Sequence, residues 1–175
     1  MVTPLAQPKT QDVQEIAKTI REKALEYAFE KYARNIQDPV IDELLYRYDF
    51  MEAFKSGIAE EIAQVLAVYD SCVQAIYLFD PNTNPGIEGG GYLPIDGVVH
   101  LLVQVEAPSA ALRSFLEALD QRLTQALEEL PAELYANYTS VLDIILITAE
   151  DVKNRKGYAC LLTSIFAPPL KVWQR

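Results

Sequence analysis

Four side chains in this sequence could share proton or metal chemistry: Asp80, Asp96, His100 and Asp143. His100 is the sole histidine, and it stands inside the apolar run VVHLLVQV. Strand alternation places Val98, His100, Leu102 and Gln104 on one face of that run, and Val141, Asp143, Ile145 and Ile147 on one face of the later run SVLDIILIT. Where those faces coincide, His100 and Asp143 pair. Such a pair could orient a general base, but no Ser or Cys is placed by motif as its nucleophile. A structural hydrogen bond that satisfies a buried imidazole is the plainer expectation. The carboxylates offer a second chemistry. Asp96 and Asp143, joined by Asp80 or Glu88 from the intervening loop, would make an oxygen-rich candidate site for a divalent cation. The competing reading is that Asp96-Gly97 after Pro94 is an ordinary turn, and that scattered carboxylates in an acidic chain keep it soluble.

The segment YLFDPNTNPGIEGGGYLPIDGVVHLLVQVE, Tyr77 to Glu106, carries most of these residues and four glycines, Gly86, Gly89, Gly90 and Gly91. A phosphate cradle needs backbone N–H groups at a helix start, usually with a lysine. Neither follows these glycines, so the expectation is a long hairpin connection between two strands.

Composition bounds the partners. The chain has 175 residues, half of them hydrophobic, which suits one core and one domain over residues 1–175. Its formal net charge is −10, and no Lys or Arg occurs between Lys55 and Arg113. A broad nucleic-acid surface is excluded, because neutralising phosphates requires clustered cations. Lys153, Arg155 and Lys156 form the one tight basic group, and it reads as a solvated helix end. Cys72 and Cys160 are isolated thiols, expected reduced and buried. No run suits a signal peptide or a membrane span, so a soluble, cytoplasmic chain with no membrane partner is expected.

The elements that must position these residues follow from periodicity. Val13, Ile16, Ala17, Ile20, Ala24, Tyr27 and Ala28 recur at three- and four-residue intervals and predict a helix from Thr10 to about Ile36. Asp38-Pro39 reads as the start of a second helix, running to Tyr69 with a bend or break near Asp49 or Gly57. Three short runs rich in β-branched and aromatic residues, Cys72 to Phe79, Val98 to Glu106 and Ser140 to Thr148, predict strands of one sheet. Between the last two lies an amphipathic helix, Ser109 to Leu130, with Leu112, Phe115, Leu116, Leu119, Leu123 and Leu127 on one stripe. AEDVKNRKGYACLLTSIF reads as helical despite Gly157, and LKVWQR after Pro168-Pro169 as a short edge strand. The predicted class is α+β: a helical part over residues 10–69, then a mixed sheet with packed helices over 70–175.

That order, with a long loop after the first strand, resembles the nucleotidyltransferase superfamily of the DNA polymerase beta type, particularly its minimal members. The resemblance spans Ile58 to Arg175 and rests on AIYLF leading into the turn, HLLV at the second strand and VLDIILIT at the third. The family carries a Gly-Gly/Ser turn after the first strand, an Asp-x-Asp pair on the second and a third acid on a later strand. Here the turn is Asp80-Pro81, the paired positions fall at Val98 and His100, and Asp143 is the one acid retained. The resemblance therefore implies a degenerate, non-catalytic member working as a binding or assembly module, with no cofactor. The alternative is an atypical enzyme that holds magnesium through Asp80, Asp96 and Asp143. A third reading is a small scaffold of unrelated ancestry. Tyr27, Tyr32, Tyr46, Tyr48, Phe50 and Trp173 suit an interface with a protein partner or with a second copy in a homodimer, through the N-terminal helices or the terminal strand edge.

Overall fold

The computed structural model describes residues 10–80, 96–165 and 168–175. The sequence makes an α+β fold with helices leading into a four-stranded mixed sheet. Helix α1, Thr10–Tyr32, buries Val13, Ala17, Ile20, Ala24 and Ala28, the stripe its spacing predicts. A short helix α2, Ile41–Leu45, and a long helix α3, Tyr48–Tyr69, follow. The second helix thus starts later than Asp38-Pro39 suggests: Asp38 has a left-handed backbone (φ 49°), and Val40 occupies the N-cap. The break falls at Tyr46 and Arg47, whereas α3 runs unbroken through Gly57. Gly57 is tolerated there because the missing side chain lets two helices touch. A Cβ on Gly57 would lie 2.9 Å from the Ala24 Cα of α1.

Strands β1 (Val73–Phe79), β2 (Val99–Val105), β3 (Leu142–Ile147) and β4 (Leu170–Gln174) are arranged in the order β3-β2-β1-β4. β1 is antiparallel to β2 and to β4, and β2 is parallel to β3. The parallel pair requires a crossover, supplied by helix α4, Ala110–Glu128, whose first turn is capped by the Ser109 hydroxyl accepting from Leu112 N–H. Helices α1, α3 and α4 cover one face of the sheet and share its main core. A smaller cluster of Phe79, Leu102, Ile147 and Ala159 lies on the other face. Its cover is helix α5, Ala149–Asn154, and the 3-10 segment Gly157–Thr163. That stretch is therefore not one helix: Arg155 (φ 51°) and Gly157 (φ 54°) turn left-handed and divide it.

The basic group Lys153, Arg155 and Lys156 is exposed at this break. Cys72 is half-buried and Cys160 exposed, which corrects the expectation of two buried thiols. No helix among the described residues is long and apolar enough to cross a membrane.

Candidate functional site

β2 places His100 opposite Phe79 of β1 and level with Asp143 of β3. The expected pair forms. His100 Nδ1 lies 2.9 Å from Asp143 Oδ2. A second carboxylate, Asp96 Oδ2, lies 3.1 Å from His100 Nε2. The imidazole thus stands between two carboxylates, each claiming one ring nitrogen. A neutral ring donates one of these bonds; only the imidazolium donates both. The residue is 9% exposed and its ring packs 5.5 Å from Phe79, whereas the Asp143 side chain is 51% exposed.

Asp96 is held by backbone as well as by side chain. Its Oδ1 accepts from Val98 N–H at 2.9 Å, and its carbonyl accepts from Lys55 Nζ at 3.2 Å. Burial works against its charge, but the Val98 amide, His100 and Lys55 outweigh that and hold the carboxyl below its usual range. The next residue, Gly97, is fastened between two tyrosines. Gly97 N–H donates to the Tyr138 hydroxyl at 3.0 Å, and the Tyr135 hydroxyl donates to Gly97 O at 3.3 Å. A Cβ at Gly97 would fall 2.8 Å from the Tyr135 ring, so the close approach needs glycine. Tyr135 is fully buried, and burial pushes its phenol far up.

Asp80 makes different contacts. It directly follows β1 and lines a cavity of about 210 Å³ with Glu52, Lys55 and Ser56 of α3 and Leu170 of β4. Burial raises the Glu52 carboxyl, with Asp80 adding to the shift and Lys55 opposing it. The Tyr48 phenol is raised by Glu52, by burial and by Asp80. Of the four candidate residues, then, Asp96, His100 and Asp143 are joined by hydrogen bonds, while Asp80 lines a cavity that includes Lys55, the partner of the Asp96 carbonyl. Glu88 and the glycines Gly86, Gly89, Gly90 and Gly91 lie outside the described residues, as does Pro81.

Among the described residues the donors are not arranged for a shared magnesium ion. A divalent cation needs carboxylate oxygens converging on one point, and here the Asp96 and Asp143 oxygens converge on a ring instead. Among the described residues no three His, Cys, Asp or Glu side chains form a group that could hold a metal. The sequence pattern misses Lys55, Tyr135 and Tyr138. Lys55 follows Phe54 within an apolar stripe and is 5% exposed, and a lysine at such a position is the one available sign.

No protein-family model matches the chain, and neither a curated protein nor a solved structure matches it. Fold and site define an α+β protein with a carboxylate-imidazole-carboxylate cluster at the strand ends.

Proposed function

We propose that this chain is a non-catalytic, nucleotidyltransferase-like module that acts by binding a protein partner or a second copy of itself. One observation carries the proposal: the cluster at the strand ends satisfies itself. Both nitrogens of His100 lie within hydrogen-bond distance of a carboxylate, Asp96 or Asp143, and Lys55 Nζ donates to the Asp96 carbonyl while lying 3.7 Å from Glu52 Oε1. Residues that meet one another's valences hold a loop anchor and a strand together. Such mutual bonding favours a structural role over a position held open for a substrate. The order helix, strand, strand, helix, strand, with an acid on the third strand, supports the nucleotidyltransferase likeness. Exposed Tyr46 and Tyr48 beside the α2–α3 break support a role in association.

Incubation with each labelled nucleoside triphosphate, magnesium or manganese and candidate acceptors tests the reading. The expected result is no transfer. Metal-dependent transfer abolished by Asp143→Asn would establish the alternative, an atypical enzyme, in its place.

A further inference from the structure

The two edges of the sheet are finished differently. β4 is entered from Pro168 and Pro169, carries Lys171, and pairs with β1 through a register shift between Ile76 and Tyr77. These are features that blunt an edge. β3 has no Lys, no Pro and no shift against β2. Val99 N–H donates to Val141 O at 2.8 Å, with Val99 level with Leu142. In a parallel ladder this turns the Val141 carbonyl and the backbone groups of Asp143, Ile145 and Ile147 toward β2, and those of Leu142, Ile144 and Leu146 outward.

The ends of that outward row are capped. Leu142 N–H donates to Asp120 Oδ1 at 2.9 Å, and its carbonyl accepts from Ser140 Oγ at 3.2 Å. Thr148 N–H donates to Asp151 Oδ2 at 2.9 Å, and its carbonyl accepts from Val152 N–H at 3.1 Å. Between the caps, Ile144 and Leu146 meet no hydrogen-bond partner on this side among the described residues. Below them lies a notch of about 160 Å³ lined by Arg113, Leu116, Glu117 and Asp120 of α4.

We propose that β3 pairs antiparallel with β3 of a second copy about a two-fold axis at Ile145. This rests on the association reading above and names its surface. In that register Ile144 lies opposite Leu146 of the second copy, and the two residues exchange both backbone bonds. Leu142 falls opposite Thr148 of the second copy, so capped groups face capped groups and no donor or acceptor is stranded. A longer foreign strand would run its own backbone groups against the caps, whereas the chain's own strand is open only where its partner is open. Ile144, Ile145 and Leu146, half-buried in one chain, gain cover from the other. Arg113, the single cation lining the notch beside Glu117 and Asp120, keeps the joint from being uniformly acidic in a chain of net charge −10.

Sedimentation across micromolar concentrations, combined with amide hydrogen exchange, tests the proposal on the full chain. The expected result is a reversible dimer in which the Ile144 and Leu146 amides are protected, becoming fast-exchanging on dilution. Ile144→Pro removes an outward N–H without touching the β2 ladder, and Arg113→Glu changes only charge at the notch. Each should weaken the dimer by about tenfold or more. Arg113 is exposed, so its variant carries the test even if Ile144→Pro fails to fold. A monomer at every concentration overturns the proposal and leaves the absence of nucleotidyl transfer to its own assay. A dimer indifferent to Arg113→Glu, with Ile144 and Leu146 exchanging fast, also overturns it while keeping association through another surface.

Discussion

One strand of this protein serves two environments. On the side facing α1, α3 and α4, β2 buries Val99, Leu101, Val103 and Val105 completely. On the other side it presents His100, Leu102 and Gln104, under the thinner cover of α5 and the Gly157–Thr163 segment. The helical side is closed by apolar packing, which is non-directional and tolerates no water. The thin side is closed by directed bonds between a ring and two acids, one of them half in solvent. Stability belongs chiefly to the first side and polar chemistry to the second, and the period-two pleat lets seven residues of one strand carry both.

The sharpest way to break this contrast is to hollow out the helical side. Leu101→Ala should cost about 3–4 kcal/mol in urea unfolding, since a fully buried side chain leaves a cavity the helices cannot fill. His100→Leu, its neighbour on the opposite side, should cost about 1–2 kcal/mol, because Asp143 recovers water while Asp96 only partly does. Equal losses at the two positions would erase the distinction.

The acid limb of stability gives a finer test. The folded carboxyl of Asp96 is depressed, so its contribution is present above the unfolded value of about 3.9 and is lost as pH falls through the folded value. Below about pH 4 the native chain should therefore lose stability more steeply than Asp96→Asn, as measured by the denaturation midpoint against pH. The smallest effect belongs to the rim of the thin side. Tyr158, exposed and packed 6.1 Å from Phe79, should change stability by less than about 0.5 kcal/mol on replacement by Ala.

Local pattern made much of this legible in the sequence. The stripes of α1 and α4 and the runs of β1, β2 and β3 follow from spacing alone, whereas the pairing of His100 with Asp143 is conditional on the parallel register of β2 and β3 that the fold supplies. What escaped depends on contacts distant in the chain. Gly57 reads as a helix breaker until Ala24 is known to press against it. Asp96 is the turn residue its sequence suggests, with Oδ1 on the Val98 amide, but only the fold shows its other oxygen meeting His100. Tyr135 and Tyr138 sit in a short 3-10 turn, Glu133–Tyr135, and its flank, with no periodic signal that would bring them to Gly97. Asp120 lies on the α4 stripe's border, and only the fold shows that its carboxylate receives the amides of Val141 and Leu142 at the entry to β3.

The fastening of β4 onto β1 bears on the order of assembly. Arg175 reaches back with its N–H to the Gln74 carbonyl, its Nε to Val73 and its Nη2 to Ala67 at the end of α3. Roughly ninety residues separate the two strands, so this pairing closes a large loop and is expected late in folding. Until then β1 has a partner on one flank only, through β2, and its other flank is open to any extended chain nearby. In any state where the β1–β2 hairpin forms before β4 docks, that flank of β1 is left unpaired. During synthesis β1 and β2 leave the ribosome before β4 does, so the β1 flank that β4 covers in the finished fold is completed last.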